Sequence, residues 1–146
     1  MLECQVSLHD GVCFIAQTGS GHLVAMDGAP DAGGQNRAPR PMELLLAGVG
    51  GCTAYDVVTI LRRGRQAISA CVVKLSAERA PTDPKVLTQV NMHFSLRGHH
   101  LKPEAVARAI ALSAEKYCSA SIMIGKTAQI THSWEIIEDD TNNVGL

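Results

Sequence analysis

The chain has 146 residues, enough for one domain (1–146) with a real core, and its 46% hydrophobic content excludes a disordered or low-complexity chain. A net charge of −1 and 3% aromatic residues leave no basic surface and no base-stacking platform, so neither nucleic acid nor an anionic membrane surface is an expected partner. Five cysteines, with no CxxC pair and no zinc-ligand order among the histidines, are read as free thiols in a reducing cytoplasm, with no metal site assigned.

The opening MLECQVSLHDG is acidic at position 3 and lacks an apolar core of signal-peptide length. Leu2–Leu8, Val12–Gln17 and His22–Met26 read as three short strands of a meander, separated by HDG and TGSG turn chemistry. DGAP ends the third. The run DAGGQNRAPR, residues 31–40, reads as a loop and is the best candidate for a mobile segment.

Residues 41–63, PMELLLAGVGGCTAYDVVTILRR, carry helix signals at both ends. Pro41 suits the first turn and Glu43 suits the positive end of the helix dipole. Arg62 and Arg63 fill the last turn and Gly64 is a C-cap. The middle is apolar almost all round, which predicts a helix buried on most sides. Leu44–Leu61 has the length of a membrane span, yet Asp56 would put a charge near the bilayer centre, so a buried helix of a soluble protein is expected. Gly48, Gly50 and Gly51 each cost roughly 1 kcal/mol of helix propensity relative to alanine. Close approach of another backbone, or access to the Cys52 sulfur, would offset that.

Ile68–Arg79 and Val86–Leu96 read as a long antiparallel hairpin around Pro81 and Pro84. A helix over Pro103–Tyr117 follows, then CSASIMI, then a last strand over Thr127–Ile137; the polar tail from Glu138 is expected to fray. Strands and helices do not strictly alternate, so the fold class is α+β with mainly antiparallel pairing.

A thiol becomes a nucleophile only as thiolate, which needs nearby cations or hydrogen-bond donors. The helix of Cys52 supplies no cation within a turn, and Asp56 at i+4 would oppose ionisation if it faced the same way. Cys118 would sit at a helix start if a second helix begins at Ser119–Ser121. Cys4, Cys13 and Cys71 lie in strands and read as core. His99–His100 in RGHHLKP is a loop pair that could bind metal adventitiously, with a solvated turn the favoured reading. His22 follows GSG on a hairpin and could reach a pocket.

The segments GSGHLVAMDG, PMELLLAGVGGCTAYDVV and AVARAIALSAEKYCSASIMI resemble the superfamily of osmotically inducible protein C (OsmC) and organic hydroperoxide resistance (Ohr) proteins, in its YhfA-type branch. The resemblance covers nearly the whole chain. It implies an intertwined homodimer, with mainly antiparallel sheets packed around central helices and two active sites at the dimer interface. By motif it makes Cys52 the peroxidatic cysteine, which attacks an organic hydroperoxide, and Cys118 the resolving one, with an external dithiol as reductant and no cofactor. The family's acidic helper position falls on Met42; Glu43 is adjacent, about 100° further round the helix. Arg37 and Arg40 lie in the region of the helper arginine without matching it. Glu43, Arg40, Arg37 and His22 are the candidate activators. Leu45, Val49 and Met123 are the expected apolar walls. The alternative expectation is a non-enzymatic protein that binds a hydrophobic or thiol-containing small ligand in the same interfacial pocket.

Overall fold

Three strands open the chain: β1 (Cys4–Asp10), β2 (Cys13–Thr18) and β3 (Leu23–Met26), paired antiparallel in the order β1-β2-β3. The β1–β2 turn works because Gly11 takes φ 57°. A computed structural model describes residues 1–140, so residues 141–146 of the expected frayed tail lie outside the described residues. The chain divides into two compact units, Met1–Ala47 and Gly48–Leu146, with the boundary inside helix α1 (Pro41–Arg63), whose ends fall where its capping residues predict.

In the first unit the 31–40 segment is an organised loop. Asp27, whose side chain is 0% exposed, accepts the backbone N–H groups of Gly28, Gln35 and Arg37 and the Nε of Arg37 at 2.8–3.4 Å. A 3-10 turn, Pro30–Ala32, starts the loop. Every residue of β1 is exposed, Val6 and Leu8 included, so this strand contributes no buried face within the chain.

The second unit holds a sheet of order β4-β5-β6, made of β4 (Ala67–Arg79), β5 (Leu87–His99) and β6 (Gln129–Glu138). The hairpin β4–β5 is antiparallel as expected. β6 runs parallel to β5, from Gln89 opposite Gln129 to Gly98 opposite Glu138. A parallel partner needs a crossover of a dozen or more residues, and the helical segments between β5 and β6 supply it. One face of β5 is buried through Val90, Met92, Phe94 and Leu96, every second residue of the pleat. Buried Val57 and Leu61 of α1 join this core, as do Val106 and Ile110 of α2 (Pro103–Leu112).

Two expectations need correction. The predicted helix 103–117 is α2 followed by a π segment, Ser113–Tyr117, closed by the Cys118 N–H bonding to the Ser113 carbonyl at 2.8 Å. Such wide turns carry an extra residue and recur at functional sites. Also, α1 is not buried on most sides. Val49, Thr53, Val57 and Leu61, four residues apart, form one buried stripe, while Leu45 and Tyr55 stand 54% and 74% exposed. By length and composition α1 could cross a membrane. Within the second unit, however, a Cβ on Gly50 would lie 2.7 Å from Leu75 Cδ1, so this turn is packed against β4. A Cβ on Gly48 or Gly51 would meet nothing within 4 Å among the described residues.

Candidate active site

Helix geometry sets where Cys52 points. It lies one residue, about 100°, off the buried stripe of α1, so Thr53 faces the core and Cys52 occupies the shoulder, half-buried. Asp56 at i+4 shares that shoulder. Opposite them, the π segment delivers Cys118 as the extended N-cap of α3 (Ser119–Ile124), with φ −78° and ψ 96°. The helix start beyond Cys118 is therefore present, and its cap is the cysteine itself: the Ser121 N–H donates to Cys118 Sγ at 3.4 Å.

These elements bring Cys52 and Cys118 together. Both sulfurs and a carboxylate oxygen of Asp56 lie within 4.8 Å of one another. Cys118 is 0% exposed, whereas Cys52 can be approached from outside the chain. Buried Thr53 and Ser121 complete the pocket: Thr53 Oγ1 is 3.3 Å from Cys118 Sγ and 3.2 Å from Ser121 Oγ. Ser113 Oγ, also buried, donates to Asp56 Oδ2 at 3.0 Å and fixes the carboxylate.

Proton supply decides which sulfur carries charge. Burial pushes the Cys118 thiol up. The Ser121 and Thr53 hydroxyls, the Ser121 amide and the Cys52 thiol outweigh it and hold Cys118 below its ordinary value. Burial also pushes the Cys52 thiol up, and so does its bond to Cys118. The Ala120 amide acts the other way but does not overcome these together with the Cys118 and Asp56 charges, so Cys52 stays above its ordinary value. Of the two thiols, Cys118 is therefore the readier to carry negative charge and Cys52 the readier to keep its proton. Thr53 has one hydroxyl proton and two acceptors in reach, the Val49 carbonyl at 2.9 Å and Cys118 Sγ at 3.3 Å, so its support of the sulfur is shared with the carbonyl.

The candidate activators belong to the first unit. Arg37 is engaged by Asp27 and by Asp10, whose Oδ2 is 3.3 Å from Nη1. Arg40 donates to Asn36 Oδ1 at 2.9 Å, and His22 Nδ1 is 3.0 Å from Ser20 Oγ. Glu43 is exposed in the first turn of α1. Of the expected walls, Val49 is buried, while Leu45 and Met123 are exposed. Thr53, Ser113 and Ser121 were not singled out from sequence. Ser121 stands three residues after Cys118, an N-cap spacing that could have marked it; Thr53 and Ser113 have no such signal.

An open cleft of about 320 Å³ is lined by Asp56, Tyr55, Ile60, Arg63 and Tyr117; neither cysteine lines it. Two groups of three donors that could hold a metal ion occur among the described residues: Cys52, Asp56 and Cys118, and, separately, His99, His100 and Glu138.

A sequence model described as "OsmC-like protein" matches residues 33–133. Protein YhfA of Escherichia coli strain K12 is 46% identical over 136 residues, 93% of this chain and 98% of that protein. A hypothetical protein from Aquifex aeolicus VF5 superposes with a TM-score of 0.84 at 26% identity, over 96% of this chain and 98% of its own. An organic hydroperoxide resistance protein OsmC from Legionella pneumophila matches in fold, with a TM-score of 0.68 at 15% identity over 92% and 96% of the two chains.

Proposed function

This chain belongs to the OsmC-like protein family, and from that premise we propose that it is a thiol peroxidase that reduces organic hydroperoxides with Cys52 and Cys118. The observation that carries the reading is the pair itself, a reachable thiol in contact with a buried sulfur that is shifted toward thiolate. Hydroperoxide resistance named for neighbours of the same fold supports it.

In this reading the Cys118 thiolate takes the proton of Cys52. The Cys52 thiolate attacks the distal oxygen of ROOH, the O–O bond breaks, and the leaving alkoxide takes the proton from Cys118 and departs as ROH. Cys52 is left as sulfenic acid. The restored Cys118 thiolate attacks the Cys52 sulfur; an S–S bond forms, the S–O bond breaks, and hydroxide leaves with a solvent proton as water. An external dithiol supplies two electrons to reopen the disulfide. Cys118 thus does the work assigned by resemblance to an arginine and a carboxylate, before it resolves the sulfenic acid.

A second copy of the chain is proposed to complete the pocket. The open faces of Gly48 and Gly51 and the exposed Tyr55, Val72 and Met123 support that arrangement. The test is turnover of cumene hydroperoxide with a dithiol. Wild type must exceed Cys52→Ser, and equal slow consumption by both would end the proposal.

The upward-shifted Cys52 thiol beside Asp56 favours a second reading, a non-enzymatic protein that holds a small hydrophobic or thiol-containing ligand in this pocket. Ligand binding that survives in Cys52→Ser, without peroxide consumption by wild type, would select it.

A further inference from the structure

Where β5 ends, two histidines and a glutamate converge on one point. His99 closes β5, and His100 follows in the left-handed region at φ 51°. That turn folds the adjacent rings onto one side, with centroids 3.9 Å apart. Glu138, the last residue of β6, reaches them across the parallel β5–β6 pair. Its Oε1 lies 3.3 Å from His99 Nδ1 and 3.5 Å from His100 Nδ1, and the three donor atoms are within 4.8 Å of one another.

Those spacings have a chemical meaning. Nitrogen and oxygen ligands at ~2.0–2.2 Å from a tetrahedral Zn²⁺ stand about 3.3–3.6 Å apart along each edge. Both Nδ1–Oε1 distances, 3.3 and 3.5 Å, match such an edge. A hard cation that demands oxygen ligands fits poorly with two imidazoles, whereas imidazole suits zinc, copper and nickel. The carboxylate is already aimed: the His100 backbone N–H donates to Glu138 Oε1 at 2.9 Å and to Oε2 at 3.2 Å. Outer hydrogen bonds of this kind orient a metal ligand without using the lone pair it needs. All three side chains are open to solvent, so the fourth position can take water.

We propose that His99, His100 and Glu138 form a binding site for a divalent transition-metal ion of the zinc class, with His99 Nδ1, His100 Nδ1 and Glu138 Oε1 as ligands and one solvent-held position. The ion clips the end of β6 to the turn that leaves β5. The site uses none of the thiol pocket's residues and stands whether or not the chain is a peroxidase.

The test uses the untagged full chain, stripped with chelator and carrying Cys52→Ser and Cys118→Ser so that the other donor group is removed. Co²⁺ is titrated by visible absorption and Zn²⁺ by calorimetry. One ion per chain is expected, with the absorption of a four-coordinate site and no sulfur charge-transfer band, and with a raised Tm. Adding His99→Gln, or separately His100→Gln, should weaken binding by at least about tenfold, the loss that outer-shell changes alone can cause. Glu138→Gln keeps an acceptor for the His100 N–H, so a loss there reports the missing ligand rather than a broken turn. No binding by the parent, or equal binding by the parent and the His99→Gln form, overturns the proposal.

Discussion

Two buried acidic groups, Asp27 and Cys118, show how differently one chain can support negative charge. Asp27 accepts three backbone N–H groups and a guanidinium, all permanent donors. Burial raises its pKa, but the bonds to Arg37, Gly28 and Gln35 carry it below the usual carboxylate range. Cys118 has one backbone N–H; its other donors are hydroxyls with other takers and a thiol that can itself lose the proton. Fixed donors lock a charge in place and make structure. Labile donors leave it able to move, which is what a proton-transferring sulfur needs.

The sharpest way to break this contrast is to remove the reachable sulfur. Cys52→Ser should reduce peroxide-dependent dithiol oxidation to the uncatalysed rate in a stopped assay. Cys118→Ser should stop at about one equivalent of peroxide per chain, leaving a sulfenic acid that a dimedone adduct reveals by mass spectrometry. Thr53→Val keeps the shape of the pocket while removing its hydroxyl. Removing the hydroxyl from between Ser121 Oγ and Cys118 Sγ should cost about 1–3 kcal/mol in urea unfolding, and slower thiol exchange at Cys118 should accompany it. Asp27→Asn should leave turnover unchanged and lower the urea midpoint at neutral pH. Because the folded pKa of Asp27 is depressed, its contribution is fully present above the unfolded value and is lost as pH falls through the folded one. The stability difference should therefore hold above about pH 4, begin to shrink below it, and close only below the folded value. Asp56→Asn should give the smallest effect, a gain of less than about tenfold in Cys52 alkylation rate, since its charge is the last of the causes that raise that thiol.

Much of the scaffold was legible because its signals are local. Pro41, Glu43, Arg62, Arg63 and Gly64 mark α1, and the period-two runs mark β4 and β5. The parallel partnership of β6 was not, because pairing direction depends on where a crossover returns the chain. The π segment escaped for a similar reason. Its wide turn follows a helical pattern without interruption, and only the Cys118 N–H reaching Ser113 betrays the extra residue. The Asp31–Arg40 stretch has loop composition, but its organiser, Asp27, lies before it and gathers amides up to ten residues away.

By itself the sequence determined the α+β class, the long helix with both its ends, the two cysteine motifs and the family they resemble. Those depend on spacing within a segment and on residue types, which a linear chain carries in full. Only the tertiary structure decided that Cys118 meets Cys52, that Thr53 and Ser121 surround the buried sulfur, and that Glu138 reaches His99 and His100. It also decided that the Cys118 thiol is shifted down and the Cys52 thiol up from their ordinary value. Contacts across 65 residues and the loss of water around a sulfur are properties of packed space, and a pKa is set by what stands within a few ångströms, whatever its number in the chain.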